Sequence, residues 1–218
     1  MSQEHALSFV KDELKKCFAA QVLATAQWHD AKPQSVDEVC GPDLQNNPGK
    51  IEALSALVLG QHFMNFSLWH IEDDARRKDV GDKVIADCKR TIDGFNQRRN
   101  DFMEKVDACV VAVSSPYLAS GVSRYNTESL GAAVDRMSIL SLKIYHMREE
   151  TERKDASPEH IASCERKLAV LGEQRADLGN AILDLVDEFA TGLKAPKVYY
   201  QFKMYNDPAL NPALYKNK

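Results

Sequence analysis

The chain has 218 residues, of which 44% are hydrophobic and 28% charged, with a net charge of -4. That length fits one large domain able to bury roughly 70% of the surface its unfolded form exposes, and the ordinary apolar content excludes a disordered chain. The negative balance argues against a general nucleic-acid binder, and no apolar run approaches the ~20 residues of a membrane span.

The start, Met1-Ser2-Gln3-Glu4-His5, has neither the basic nor the apolar region of a signal peptide. Cys17, Cys40, Cys88, Cys109 and Cys164 are odd in number and include no CxxC pair. They suggest reduced thiols in a cytoplasmic protein rather than a disulfide framework or a thiolate zinc site.

Apolar periodicity and stop signals predict an all-α fold: a single-domain bundle of about five long antiparallel helices with an extended C-terminal tail. The first helix is expected from Ser2 to His29, within an N-terminal segment 1–30, and ends before Pro33. A loop rich in Pro, Gly and Asn leads to a second helix over Lys50 to Arg77. Asp79 is the expected N-cap of a third, Val80 to Val113. A Ser, Pro and Gly loop separates it from a fourth that begins near Asn126-Thr127 and runs to Lys154. Ser157-Pro158 caps and opens a fifth that stops near Thr191-Gly192. The tail, 192–218, carries five Lys against one Asp and so lies back on a body of charge -8. Its stretch Val198 to Tyr205 reads as a short strand or an extended arm, and its aromatic residues are expected to dock into a groove of the bundle rather than stack bases.

Helical wheels put polar groups on faces that should be core. On the second helix the stripe Ile51, Leu54, Val58 continues as Gln61, Asn65, Trp69, Glu72 and Arg76. The opposite side, Leu59, Phe63, Phe66 and His70, is also largely apolar, which predicts a central helix. The third helix carries Asn96 and Arg99 in its stripe, with Asp93, Asn100 and Asp107 on the shoulder. Asp135 and His146 lie on one side of the fourth, and Arg175 interrupts the apolar stripe of the fifth. Buried charges left unpaired cost several kcal/mol, so these groups need partners. The bland reading is a set of internal salt bridges, Glu72 with Arg76 and Asp135 with Arg99 or Arg175. The sharper reading is a wet cavity they share.

For chemistry, His70 and Asp73 at i, i+3 are close enough to share a divalent metal ion, with Glu72 turned away. Their bland alternative is a His70 bridging helices and an Asp73 paired with Arg77 at the surface. Glu104-x-x-Asp107 is similar to the ExxD half of the magnesium-dependent, all-α nucleotide pyrophosphohydrolases, but the companion ExxE is absent. Asp135 and His146 stand about 16 Å apart along one helix, too far for a dyad. No GxGxxG, Walker lysine motif, nucleophile elbow or HExxH occurs.

Longer motifs carry a family resemblance. Leu68-Trp69-His70-Ile71-Glu72-Asp73-Asp74-Ala75-Arg76, the segment Ile92 to Asp101, the segment Val134 to Met147, and the tail Gln201 to Pro208 resemble the bacterial family known as domain of unknown function 4254. The resemblance runs from Leu54 to Tyr215. It implies a cytoplasmic helical protein and no established activity.

The functional expectation is therefore a charged pocket between helices that binds or acts on an anionic or hydroxylated small molecule, such as a sugar or nucleotide phosphate. Arg76, Arg99 and Arg175 would hold the anion, with Asn65, Asn96, Asn100 and Asp135 as further binding residues. His70, Glu72 or Asp73 would act as general base, or His70 and Asp73 as metal ligands. Two alternatives stand beside it. One is a non-catalytic interaction module with buried salt-bridge networks, forming a homo-oligomer through the C-terminal tail. The other is a Mg- or Fe-dependent helical hydrolase or oxidase.

Overall fold

The computed structural model describes residues 6–41 and 49–216. The expected helix start at Ser2 and most of the loop before Pro48-Gly49 lie outside these residues. The elements are α1 (Ser8–Asp30), α2 (Val36–Cys40), α3 (Ile51–Asp74), α4 (Asp82–Ser114), α5 (Leu130–Thr151), α6 (Pro158–Ala190) and α7 (Pro212–Tyr215). Five of them are long, and no strand occurs among the described residues, so the all-α bundle expected from periodicity is the fold.

Helix α3 is the axis of the molecule. Every residue from Gly60 to Leu68 is buried, which no amphipathic surface helix shows. Helices α1, α2, α4 and α5 pack around it, and α6 lies on α5 and α1. Leu54, Leu57, Met64 and Phe66 are fully enclosed between these neighbours, each contributing roughly 1.5–3 kcal/mol of burial.

The boundaries differ from the expected ones where capping chemistry was misread. Helix α4 opens after Gly81, because Asp79 is drawn instead onto Arg77, which donates to both its carboxylate oxygens (3.1 and 2.8 Å). Helix α5 starts only at Leu130, capped by Ser129, whose hydroxyl accepts from the Ala132 amide. The one-turn α2 was not anticipated, although Ser35-Val36-Asp37-Glu38 has the spacing of a capping box. Ser35 accepts from the Glu38 amide, and the Glu38 carboxylate accepts from the Gln34 amide (2.8 Å). Ser157 caps α6 as expected.

The tail forms a short 3-10 turn, Met204–Asn206, and the four-residue α7 rather than a strand. It follows α4 through polar contacts. The Gln201 amide donates to Glu104 (2.8 Å), Lys203 to the Asn96 carbonyl (3.3 Å), and Asn206 to Gln97 (3.2 Å). Of its aromatic side chains, Tyr199 is half-buried, while Tyr200, Phe202 and Tyr205 are exposed, Phe202 by 77%. The reason is local, since the backbone is held by polar atoms of α4 and turns at Phe202 through a positive φ of 42°.

Close approach of α4 and α5 rests on Gly131. A Cβ there would collide with the carbonyl oxygen of Met103 and sit 3.1 Å from the Asp107 carboxyl. Gly94 on α4 faces open space. Gly131→Ala should therefore lower stability by about 1–3 kcal/mol, while Gly94→Ala should raise it by roughly 0.5–1 kcal/mol. Urea unfolding of both variants checks the pair, and equal effects would contradict the close approach.

Candidate functional site

A continuous hydrogen-bond relay crosses the bundle from α4 through α5 and α3 to α1. Asp135 is 2% exposed. Its carboxylate accepts from Arg99 Nε (2.9 Å) and Arg99 Nη2, and from Asn65 Nδ2 (2.8 Å). The second Asn65 amide hydrogen goes to Ser138 Oγ (3.0 Å). Ser138 Oγ lies 2.7 Å from His62 Nδ1, and His62 Nε2 lies 3.0 Å from Thr25 Oγ1. Thr25 in turn donates to the Gln21 carbonyl (2.7 Å).

Hydrogen-bond bookkeeping fixes every proton in this chain. A hydroxyl has one hydrogen, and Thr25 spends its own on a carbonyl, so it must accept from His62 Nε2–H. His62 Nδ1 is then the acceptor, and Ser138 donates to it while accepting from Asn65. No donor between Asn65 and Thr25 is idle. His62 is fully buried, and that burial depresses its pKa to about 3, so it is a neutral relay member at any physiological pH.

Asp107, the second buried carboxylate, is a helix cap. It is 3% exposed and accepts from the Gly131 amide (2.6 Å) at the start of α5, where a negative charge also meets the positive end of the helix dipole. Desolvation nevertheless pushes its pKa up to about 6, against hydrogen bonds from Ser129 and Gly131. Glu104 accepts from the tail amide of Gln201, so both carboxylates of the Glu104-x-x-Asp107 spacing hold backbone amides of other elements.

A cleft of about 320 Å³ opens beside the outer end of the relay, between α3, α4 and α5. Asn65, Glu72, Asp73, Arg76, Asn96 and Arg99 line it, with Leu68, Trp69, Ile139 and Leu142 as apolar wall. Arg99 enters half-buried, 25% exposed, with its Nε/Nη2 edge on Asp135. Arg76 is 68% exposed and pairs with Glu72 (2.8 Å) at i, i+4, so it rims the cleft rather than pointing into the core.

The other expected site residues fall elsewhere. Asn100 is buried on α4 outside the cleft lining. Arg175 lines a different cleft, with Ser141, Tyr145 and Arg148, and donates to the Phe18 carbonyl (2.8 Å) and to Ser141 Oγ (3.4 Å). Burial lowers its pKa. It shares no ligand space with Arg76 and Arg99, and Asp135 takes Arg99 rather than Arg175. Asp73 lines the cleft, whereas His70 packs against His29 and His146, ring centroids 5.1 and 5.9 Å away. Burial and the neighbouring His29 and His146 lower the His70 pKa.

His62, Thr25 and Gln21 were missed by sequence reasoning. Their signal is the presence of polar residues on α1 and in the apolar middle of α3, whose pairing across helices no single-helix pattern contains.

The fold and these polar elements define an all-α bundle with a buried, proton-ordered relay beside a charged cleft. The chain belongs to the family described as a protein of unknown function (DUF4254), whose model matches residues 55–198. That span takes in Asn65, Arg99, Asp135 and His146, but not α1 or the tail motif from Gln201. No curated protein and no solved structure matches the chain.

Two of the perturbed buried groups, His62 and Asp107, give opposite pH slopes. His62 has a depressed pKa, so its contribution is full above 6.5 and is lost as pH falls towards about 3. Asp107 has a raised one, so its contribution is full below 3.8 and is lost as pH rises through about 6. Between pH 4 and 6 they offset each other. Unfolding free energy of His62→Gln should then fall with rising pH by roughly 1.4 kcal/mol per unit relative to the parent, and that of Asp107→Asn should rise by a similar amount. Urea titrations at three pH values in that window test this, and parallel slopes in all three proteins would refute it.

Proposed function

We propose that the cleft between α3, α4 and α5 binds a small anionic, hydroxylated molecule of the sugar-phosphate or nucleotide-phosphate class, in the cytoplasm. The observation that carries this reading is the anchoring of Arg99. Its Nε/Nη2 edge is spent on a buried carboxylate, which leaves Nη1 available towards the cleft. A guanidinium held in that way loses little entropy on gripping a phosphate oxygen. Arg76 adds a second cation at the rim. Glu72, Asp73 and the amides of Asn65 and Asn96 supply groups suited to hydroxyls, and the carboxylates are the candidate general bases. The volume lies at the small end of ligand sites, which favours a sugar phosphate.

A second reading, an interaction module whose tail clasps a neighbouring subunit, is favoured by the exposure of Tyr200, Phe202, Met204 and Tyr205. On that reading the relay is a folding device only.

Thermal unfolding against a panel of sugar and nucleotide phosphates separates the two. A true ligand at 100 times its dissociation constant adds about 2.7 kcal/mol. Arg76→Met should keep its stability within about 0.5 kcal/mol of the parent and lose most of that ligand effect. Arg99→Met strands Asp135 and should cost about 3–5 kcal/mol. The cleft reading fails if no phosphate shifts the parent. Sedimentation equilibrium tests the module: a dimer dispersed by Phe202→Ser with Tyr205→Ser supports it, and a monomer at all concentrations rejects it.

A further inference from the structure

Three histidines from three helices meet at one end of the bundle: His29 on α1, His70 on α3 and His146 on α5. One ring nitrogen from each lies within 4.8 Å of those of the other two. Two of the rings are already set in the tautomer that metal binding requires. His29 Nδ1 faces the Thr25 carbonyl at 2.6 Å, and His146 Nδ1 faces the Glu149 carboxylate at 2.8 Å. Both partners can only accept, so both Nδ1 atoms carry a hydrogen, and in the neutral ring, the form that binds a metal, each Nε2 holds the lone pair.

Those two Nε2 atoms are buried and have no hydrogen-bond partner. A buried acceptor left without a donor is destabilising, and two beside a third imidazole call for a shared occupant. Water could satisfy one of them, but the outer contacts have a more specific meaning. A carbonyl or carboxylate holding the far nitrogen of an imidazole is the usual support of a metal-bound histidine, where it fixes the ring and raises its basicity.

The rings are also held by packing. Tyr145 stacks on His29 (4.1 Å), Trp69 stacks on His146 (4.6 Å, 7°), and Phe66 meets the edges of His29 and His70. We propose that His29 Nε2, His146 Nε2 and a ring nitrogen of His70 form a three-imidazole site for a divalent first-row transition-metal ion. Imidazole ligands select the zinc, iron, nickel and copper class over magnesium or calcium. Tetrahedral Zn–N bonds of about 2.0–2.1 Å place the nitrogens roughly 3.3 Å apart, so metal binding draws the rings closer together. Three protein ligands leave a coordination position open, as in catalytic zinc sites.

This site does not depend on the cleft reading, and it differs from the pairing of His70 with Asp73 expected from spacing. A second cluster, Glu150, His160 and Cys164, has comparable ligand types. Its atoms already partner one another and Arg153, and it serves as the control.

Full-length protein stripped with a chelator and titrated with Co²⁺ tests the proposal. The expected result is one ion per chain, with tetrahedral visible bands, no thiolate charge-transfer band and displacement by Zn²⁺. His146→Gln and His29→Gln should abolish the bands, Glu149→Gln should weaken binding about 10-fold, and His160→Gln should change nothing. Should the His29 variant not fold, X-ray absorption on the zinc-loaded parent counts the imidazoles directly, with three expected. No stoichiometric binding, a thiolate band, or bands surviving His146→Gln would each overturn the site.

Discussion

The buried carboxylate of Asp135 constrains the molecule more than any other group. A charge at 2% exposure is tolerable only if its partners are in place, and these come from different helices: Arg99 from α4 and Asn65 from α3. Moving either helix by one residue rotates its side chains by about 100° and translates them by about 1.5 Å, which breaks that helix's contact with Asp135. Apolar packing alone would tolerate such a slip far better, since hydrophobic contacts are not directional. The relay from Asn65 through Ser138 and His62 to Thr25 extends the same constraint to α1. Register is thereby specified across four helices by hydrogen-bond geometry.

Helix α3 has to be buried on all sides for this to work, and the sequence explains how it can be. Its residues 60–68 mix Gly60, Phe63, Met64, Phe66 and Leu68 with Gln61, His62, Asn65 and Ser67. The apolar members fill the space between α1, α4 and α5. Gly60 lets the Phe102 ring of α4 close over the backbone, where a Cβ would stand 2.5 Å from the ring edge. Asn65 and His62 face relay partners and Gln61 donates to the Gly131 carbonyl (3.3 Å), whereas Ser67 Oγ is buried without a partner; the neutral His62, its pKa depressed by burial, is the form with one donor and one acceptor that a linear relay needs.

How much of this was legible follows from which signals are local. Helix number and order came from periodicity and from Ser157-Pro158, which are nearest-neighbour chemistry. The central place of α3 followed from apolar residues on two sides, and the pairing of Asp135 with Arg99 followed as one of two options from burial costs. The choice between Arg99 and Arg175 depends on which helix, α4 or α6, faces Asp135, and no single-helix wheel contains that information. Arg76 falls on the inward stripe of the wheel only because the wheel runs past the end of α3, which stops at Asp74, leaving Arg76 68% exposed. Five polar cleft residues, Asn65, Glu72, Arg76, Asn96 and Arg99, were nevertheless named from the wheels, because polar groups on an otherwise apolar stripe mark a site as well as a salt bridge, and Asp73 was named from its spacing to His70.

The histidine cluster was illegible for a different reason. His29, His70 and His146 are separated by 41 and 76 residues, and a wheel of α3 suggests only Asp73 as a neighbour for His70. Their meeting depends on α1 and α5 both reaching the same end of α3, which the relay arranges four to eight residues earlier on each helix, at Thr25, His62 and Ser138. Trp69 then stands between the two polar regions, lining the cleft on one side and stacking on His146 on the other. Because a stacked indole moves only by disturbing the ring it covers, the cleft and the histidines are mechanically joined through one side chain. The buried carboxylate fixes one wall of the cleft and, by setting helix register, also fixes where the three imidazoles converge.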